Sequence, residues 1–592
     1  MAMRAPVGKR RRLNPTVQIR EETLLTLRGL QAPEGSFSGS FGGCFAFRGM
    51  GYDGRMGKRR NNKAAGARGG YGSLRDMLRE DEKARGRGAS GTGASGKGGK
   101  RAHGTSRREG SRPGGAADRK REGSASDASA NVPAPLTGDA HARIAIVGGG
   151  AAGLAAAVAA ARELEGLGSR EAAGVVVFEA DERVGRSILA TGNGRCNFSN
   201  SSVDASLYRN SDFVAGALRA LADDGAARLK ARGLACDPDE DPVLRFFEDI
   251  GLVWREEGEG RLYPATGKAS TVVDVLRAAA SDAGAVEACG RRVIAVEPPA
   301  QEGGLFHLRF ADGSIEHAAA VIVAAGGKHA FCGSGGGGRA DAHAASLLPD
   351  RYAVESPRPV LGPLRVREEA PRRLDNIRVR ARVRLADDAP FGATKAEERG
   401  EVLFRSYGVS GICVFNLSRF AEPGDALLID FLPQVERTRL RRYLVDRARR
   451  LATPKGSGGG MRAPITYEAL LRGLLLPQIG HSVLEQAGLD PHALLDADDL
   501  PALERALSEF PLTVEGIGDE RQCQVLRGGL AIGAFDPRTM ESRLDAGLFA
   551  AGEALDVDAP CGGFNLHWAW ASGLLAGAAA ARRIADRGAE HE

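Results

Sequence analysis

The stretch Ile144–Ala161, IAIVGGGAAGLAAAVAAA, leaves this chain few ways to fold. Ile144–Val147 is a short apolar run of the kind that forms a parallel strand buried on both faces. It enters a glycine turn and then an alanine-rich segment with the composition of a helix. Gly148, Gly150 and Gly153 stand at G-x-G-x-x-G spacing. The first glycine permits a tight turn, the second lets backbone approach a pyrophosphate, and the third lets helix and strand pack closely. Unbonded N–H groups and the positive end of the helix dipole then attract the phosphates. With 81 glycines in 592 residues the spacing alone is weak, so context decides. A second apolar run, Val175–Phe178, ends in Glu179. That is where a dinucleotide-binding unit places the acid that takes the ribose hydroxyls, and an acid suits the unphosphorylated ribose of FAD or NAD.

A chain of 592 residues exceeds one compact domain, and two or three are expected. Residues 1–140 carry 28 Lys+Arg against 13 Asp+Glu, which leaves 53 against 62 of the chain's 81 and 75 for the rest. A basic arm is thus joined to a mildly acidic body. The arm is rich in Gly, Ser, Arg and Lys and has few large apolar residues to offset ordering entropy, so residues 1–140 are expected to be a disordered extension. Such an arm binds nucleic acid through phosphate attraction, or it is a dispensable tail ahead of a later start such as Met50 or Met77. The lack of any folded nucleic-acid motif favours the tail. The eight cysteines, Cys44, Cys196, Cys236, Cys289, Cys332, Cys413, Cys523 and Cys561, form no C-x-x-C pair and no cluster with histidine at zinc-finger spacing. This argues for a reducing compartment and against a structural metal. Lys9–Arg12 is not followed by the apolar core of a signal peptide, and no run reaches the ~20 apolar residues of a membrane helix. A cytoplasmic protein without a membrane partner is the expectation; the sequence leaves the oligomeric state open.

From Arg143 to about Ser346 strand-like and helix-like runs alternate, as in a mostly parallel sheet. Val272–Ala279 reads as helix, Val293–Val296 as strand, and Leu305–Phe310 as one arm of a hairpin turning at Asp312-Gly313. Ala320–Ala325 reads as another buried strand leaving through Gly326-Gly327-Lys328 into Gly333–Gly338, either a cofactor-facing exit or a simple loop. Between about Leu347 and Leu432 the pattern becomes short alternating strands: Val379–Leu385, Val402–Phe404, Cys413–Leu417 and Ala426–Phe431. Helical sequence follows over Gln434–Leu451, Thr466–Leu489 and Pro501–Phe510, broken by the glycine-rich Pro454–Gly460. After about Thr513 the α/β character returns, with a strand at Leu548–Ala551 and a last helix opening at Gly562-Gly563. The expected fold is therefore α/β. A Rossmann-like nucleotide-binding domain spans 141–346 and 513–592, interrupted over 347–512 by an inserted domain with a β-barrel-like part and a helical part.

Several blocks carry a resemblance to a known family. They are Gly185–Asn200 (GRSILATGNGRCNFSN), Gly260–Ser270 (GRLYPATGKAS), Gly400–Gly411 (GEVLFRSYGVSG) and above all Asp536–Gly577. In this order they resemble the BaiN/YhiN-like NAD(P)/FAD-dependent oxidoreductases, also called aminoacetone oxidase family FAD-binding enzymes. The resemblance covers about three quarters of the chain, from Arg143 onward. The chain departs from the family pattern at Arg405 and Ser406, where threonine and histidine are usual, at Gly333–Gly338, and at His567, where glutamine is common.

The resemblance implies FAD as cofactor. Gly148, Gly150, Ala152 and Gly153 would meet its pyrophosphate and Glu179 and Ala180 its adenosine end. Arg186, Gly192, Asn193, Gly194, Cys196 and Asn197 would run along it. Gly326, Gly552 and Glu553 would border its ribityl or pyrophosphate portion. Gly562, Gly563, Phe564 and Asn565 would present the last helix's N-terminus to the flavin, where it stabilises charge gathering on reduction. Tyr407, in the inserted signature, is the candidate proton donor, against the alternative that it is a packing residue. Cys196 and Cys561 read as small residues in crowded loops rather than a redox pair. His567 reads as a packed histidine, Trp568 and Trp570 as core or cofactor wall. The implied activity is hydride transfer from NAD(P)H through flavin to an unsaturated or carbonyl-containing small molecule, such as a steroid-like enone. The competing readings are an amine oxidase using oxygen and an RNA-associated flavoprotein tethered by the basic arm.

Overall fold

A computed structural model describes residues 142–590 apart from 169–173, 232, 234, 236, 238–239, 302, 327–343, 388–391 and 453–463. The basic arm, the glycine-rich segments at 333–338 and 454–460, and Gly327 and Lys328 lie outside the described residues. Strand β1 (Ala142–Val147) feeds the first helix, Ala151–Gly166, and β2 (Val175–Phe178) follows, parallel to β1 with Val147 opposite Phe178. Strands β3 (Ser199–Asn200), β4 (Trp254–Glu256) and β5 (Arg261–Pro264) form a small antiparallel sheet. Next come β6 (Val286–Ala288), β7 (Val293–Glu297), β8 (Phe306–Phe310) and β9 (Ile315–Val323). Among the described residues the main sheet runs β6-β2-β1-β9-β8-β7, and the late strand described below adds to it at β9. Ile144, Ala145 and Ile146 have no exposed surface, so β1 is buried on both faces.

The first helix is buried almost all round, as its unbroken apolar composition requires. Its outer side meets the last helix, Phe564–Glu590, through glycine. A Cβ at Gly573 would overlap the Ala152 carbonyl oxygen, and one at Gly577 would overlap that of Ala156. Two glycines four apart on one helix thus let two helix backbones touch.

Strand β10 (Val354–Val360) leads out of this domain into a closed antiparallel barrel. Its strands are β11 (Leu364–Val366), β12 (Arg378–Ala386), β13 (Thr394–Arg405), β14 (Gly408–Ser410), β15 (Ala426–Asp430) and β16 (Phe510–Ile517). Helices Arg437–Leu451, Tyr467–Leu471, Pro477–Ala487 and Leu500–Ser508 lie between β15 and β16 and share the barrel's core. The chain then returns along β17 (Val525–Leu530), antiparallel to β10, and β18 (Leu548–Ala550) rejoins the main sheet parallel to β9. The architecture is a mixed α/β Rossmann sheet with an inserted six-stranded barrel and attached helices.

Two local expectations are corrected. Cys413–Leu417, read as a strand, belongs to helix Ile412–Ser418. A five-residue run with four apolar residues suits either element, and Gly411 decides. Its φ of +113° ends β14, and a Cβ there would overlap the Glu401 carbonyl oxygen. Val402–Phe404 is only the apolar end of the twelve-residue β13, whose first half carries Lys395, Glu397, Glu398 and Arg399 on a strand with one wet face.

Candidate cofactor and active site

The turn after β1 is built from backbone. The N–H of Gly148 donates to Phe178 O at 2.8 Å, and a Cβ there would stand 2.6 Å from Ala324 O, so only glycine lets β1 exit beside β9. A Cβ on Gly153 would overlap the Gly148 carbonyl oxygen. Gly150 opens the first helix with no side chain to cap it, leaving the first-turn N–H groups of Ala151, Ala152 and Gly153 as donors for an anion. Glu179 is buried, and its carboxylate accepts from Gly149 N–H at 2.8 Å and Asp181 N–H at 2.9 Å. A carboxylate offers about four acceptor sites, so two remain for ribose hydroxyls.

The far wall comes from the end of the chain. Gly326, at φ +64°, leaves β9 close to Glu553, whose Oε1 accepts from Leu526 N–H of β17 at 2.7 Å. Gly552 N–H donates to Ser572 Oγ at 2.9 Å and its carbonyl accepts from Trp568 Nε1, pinning this exit to the last helix. Trp570 Nε1 donates to Phe198 O at 2.8 Å, so both tryptophans are core residues with satisfied N–H groups.

The last helix starts at a crowded junction. A Cβ on Gly563 would overlap Ser199 O and stand 3.0 Å from Asn197 Oδ1. Asn200 Nδ2 donates to Gly562 O at 2.9 Å and to Glu259 O at 3.1 Å. Tyr208 OH donates to Phe564 O at 2.9 Å. Asn565 turns inward: it accepts from Ala559 N–H and donates to the carbonyls of Ala559 and Pro560, so it shapes the loop that aims the helix. His567 is buried, with Nδ1 2.9 Å from Ser199 Oγ and Nε2 3.6 Å from Asp241. Burial pushes this imidazole below its ordinary value, and Asp241 works in the opposite direction.

The loop after β2 is held open by left-handed backbone at Gly192, Asn193, Gly194 and Cys196. Gly192, Asn193 and Gly194 are exposed; Ala180 is half-buried beside Glu179; Arg186 is exposed and pairs with Asp181 at 3.2 Å. The Cys196 thiol is fully buried beside Thr191, and burial pushes it up to about 12. Cys561 is likewise pushed up to about 12, mainly by burial and then by Glu398. Tyr407 is half-buried against Gly518 in the barrel, with its hydroxyl 3.5 Å from Gln522 Nε2.

Several site residues escaped the sequence reading. Asn416 Oδ1 accepts from Cys561 N–H at 2.9 Å, joining helix Ile412–Ser418 to the entrance of the last helix. Asp558, with no exposed surface, accepts from Arg419 Nε at 2.6 Å and from Arg527 Nε and NH2 at 2.8 and 2.9 Å. Asp556 accepts from Arg209 Nε and from Gly528 N–H. The available signal was two acids alternating with apolar residues in Leu555–Asp558, separated by four residues from the end of buried strand β18.

Among the described residues the buried Asn197 Oδ1 accepts no hydrogen bond. A buried orphan acceptor beside Gly563, a helix N-terminus without a cap and a ribose-type acid at the end of β2 fit FAD laid from the first helix to the last. Fold and site together define an FAD-binding Rossmann flavoprotein. The chain belongs to the family described as HI0933-like protein Rossmann domain, whose model matches residues 142–579, and it is an FAD-dependent oxidoreductase of that family. It is 33% identical over 452 residues to the 3-dehydro-bile acid delta(4,6)-reductase of Clostridium scindens, covering 74% of this chain and 99% of that protein. It is also 27% and 26% identical to the ribosomal RNA dihydrouridine synthases of Escherichia coli and Haemophilus influenzae, covering 72% of this chain and 95% of each.

Proposed function

We propose that this flavoenzyme reduces a carbon–carbon double bond conjugated to a carbonyl in a small hydrophobic molecule, with NAD(P)H as electron source. The observation carrying this reading is the 33% identity to the bile acid reductase across nearly the whole of that relative. A 3-oxo group beside a 4,6-diene is one conjugated system, and the 5,6 double bond of uridine is also conjugated to a carbonyl. One bond type therefore underlies all three relatives. The acidic balance of the body, 53 Lys+Arg against 62 Asp+Glu, favours the small molecule over a polyphosphate substrate.

When bound, FAD supplies the two-electron hydride chemistry. The chain's own residues hold and tune it. Glu179 orients the adenosine ribose, the N–H groups of Ala151 to Gly153 neutralise pyrophosphate charge, and Asn197 Oδ1 takes a hydrogen bond. The last helix's N-terminus would stabilise negative charge gathering on the flavin through its dipole. The buried Arg419–Asp558–Arg527 group, two cations to one anion, adds a net positive charge in the adjoining structure.

The test is anaerobic. Addition of NADH or NADPH to purified holoprotein bleaches the flavin band, and a conjugated 3-oxosteroid then restores it. A flavin that stays oxidised refutes the nicotinamide reading, and peroxide formation from amines would establish the oxidase instead. The second reading, an RNA-modifying flavoenzyme, is favoured by the 28 Lys+Arg against 13 Asp+Glu of residues 1–140. It predicts that removing these residues abolishes RNA retention while flavin stays bound.

A further inference from the structure

His307 and His317 face each other on the outer hairpin of the main sheet. In the antiparallel pairing of β8 with β9, His307 stands directly opposite His317, and in that of β7 with β8, Glu297 stands directly opposite His307. Directly opposed residues point to the same side of a sheet, with Cβ atoms about 4.5–5.5 Å apart. The row Glu297, His307, His317 therefore lies on one face. That face is open to water: Arg309 and Ile315, the next opposed pair, are exposed on it, whereas Phe306, Leu308 and Phe310 point into the core. The two imidazole rings meet edge to face, with centres 4.6 Å apart and planes at 85°. A metal ion bound about 2 Å from one nitrogen of each ring needs ring centres on the order of 5 Å apart, so the strand register already supplies the spacing and ring rotation does the rest. Glu297 adds the outer partner that metal-bound histidines usually have. It binds Arg309 Nε at 2.8 Å, which offsets the one cation beside the row. A carboxylate has about four acceptor sites, so Glu297 can also take the second ring N–H of His307 and fix the tautomer that turns the other nitrogen to a metal.

We propose that His307 and His317 bind one divalent metal ion of the late first row, of which Zn2+ is the type, and so clip β8 to β9. This stands independently of the reductase reading. Two imidazoles select Zn2+, Ni2+ and Cu2+ over Mg2+ and Ca2+, which bind through oxygen. Among the described residues no three His, Cys, Asp or Glu side chains converge as a metal cage, so this is a two-histidine site whose remaining positions are filled by water. The clip falls early in β9, where it pairs with β8 over Ile315–Ala318; β18 takes over that edge at Val321–Val323. Ala324, which borders the Gly148 turn, lies beyond the other end of β9. The ion therefore holds the outer hairpin onto the central sheet without reaching the cofactor turn.

Full-length holoprotein, freed of metal by a chelator, is titrated calorimetrically with Zn2+ and with Ni2+. Wild type should bind one ion more than the double variant His307→Asn/His317→Asn, and either single variant should weaken that site at least about 10-fold. Glu297→Gln, which leaves both ring ligands in place, should weaken it by about 10-fold. Saturating Ni2+ should raise the melting temperature of wild type by a few degrees and leave that of the double variant unmoved, with flavin absorbance unchanged in both. The histidines lie on the open side of the hairpin, so the variants should fold, as circular dichroism and flavin content will show. Anomalous scattering at the nickel edge should place one peak bonded to both rings. Equal stoichiometry and affinity in wild type and double variant, no saturable binding by wild type, or a nickel peak on one ring alone would overturn the proposal.

Discussion

Replacing Gly573 by alanine tests whether the crossing of the first and last helices sets the cofactor's span. A Cβ at Gly573 would overlap Ala152 O and stand 3.1 Å from that residue's Cα and carbonyl carbon. Ordinary contact needs ~3.5 Å or more, so the helices must separate by about 1 Å. The position is helical, so backbone preference alone would favour alanine by up to ~1 kcal/mol. Overpacking, typically about 1–3 kcal/mol, outweighs that gain. A net loss of ~1–2 kcal/mol is expected in denaturant unfolding of the apoprotein. On the proposed placement FAD binding should suffer further, because Ala152 lies in the first turn that would meet the pyrophosphate and Gly573 is about three turns from the start of the last helix. Hydrogen bonds tolerate only a few tenths of an ångström around 2.9 Å. Losing one or two should weaken FAD binding about 10- to 100-fold, read by flavin fluorescence titration. Gly577→Ala meets Ala156 in the same way, and one separation relieves both clashes, so the double variant should cost less than the sum. Gly166→Ala is the control: it ends the same first helix with nothing within 4 Å and should be neutral or slightly stabilising. Wild-type stability and FAD affinity in Gly573→Ala would refute the reasoning.

Three other perturbations address separate parts of the site. Glu179→Gln sets an amide NH2 against one of two backbone donors, Gly149 or Asp181, and should cost ~1–3 kcal/mol in FAD binding by calorimetry, with a smaller loss in apoprotein stability. Asp558→Asn leaves Arg419 and Arg527 buried without their counter-charge and should destabilise by about 3–5 kcal/mol in urea unfolding. His567 is held below its unfolded value of about 6.5, so the unfolded state binds the extra proton between the two values. The stability present above pH ~6.5 should therefore decline as pH falls through the folded value, and His567→Gln, which can still bond Ser199, should flatten that acid arm of the profile.

The nucleotide-binding core was legible because its signals are local. The register of β1 on β2, the turn at Gly148 and the acid at Glu179 all follow from buried apolar runs ended by glycine or by one charge. The glycine pair on the last helix went unread, because its partner helix lies more than 400 positions earlier. The barrel's charged half-strand was lost because its apolar residues are few, and helix Ile412–Ser418 because so short an apolar run fits strand or helix alike. The polar junction was lost for a different reason. Asn416 and Arg419 look like surface residues until segments 139 or more positions away arrive to bury them. No window along the chain holds both partners.

That same non-local junction explains why the barrel is more than an appended module. The chain leaves and returns through β10 and β17, which pair directly, so the insertion hangs from one two-stranded ribbon. Alone, such a ribbon is only marginally stable. Asp556 and Asp558 supply what it lacks: the first accepts Gly528 N–H of β17, and the second binds Arg527 of β17 together with Arg419 of the barrel. A buried charge group of this kind stabilises little compared with an apolar core of the same volume, but it tolerates only one geometry. Both acids lie in the segment that leads to Gly562-Gly563, so the barrel's seating and the aim of the last helix depend on the same carboxylates. Shifting the barrel should therefore shift the start of the last helix, so that under the proposed cofactor placement the insertion would take part in tuning the flavin.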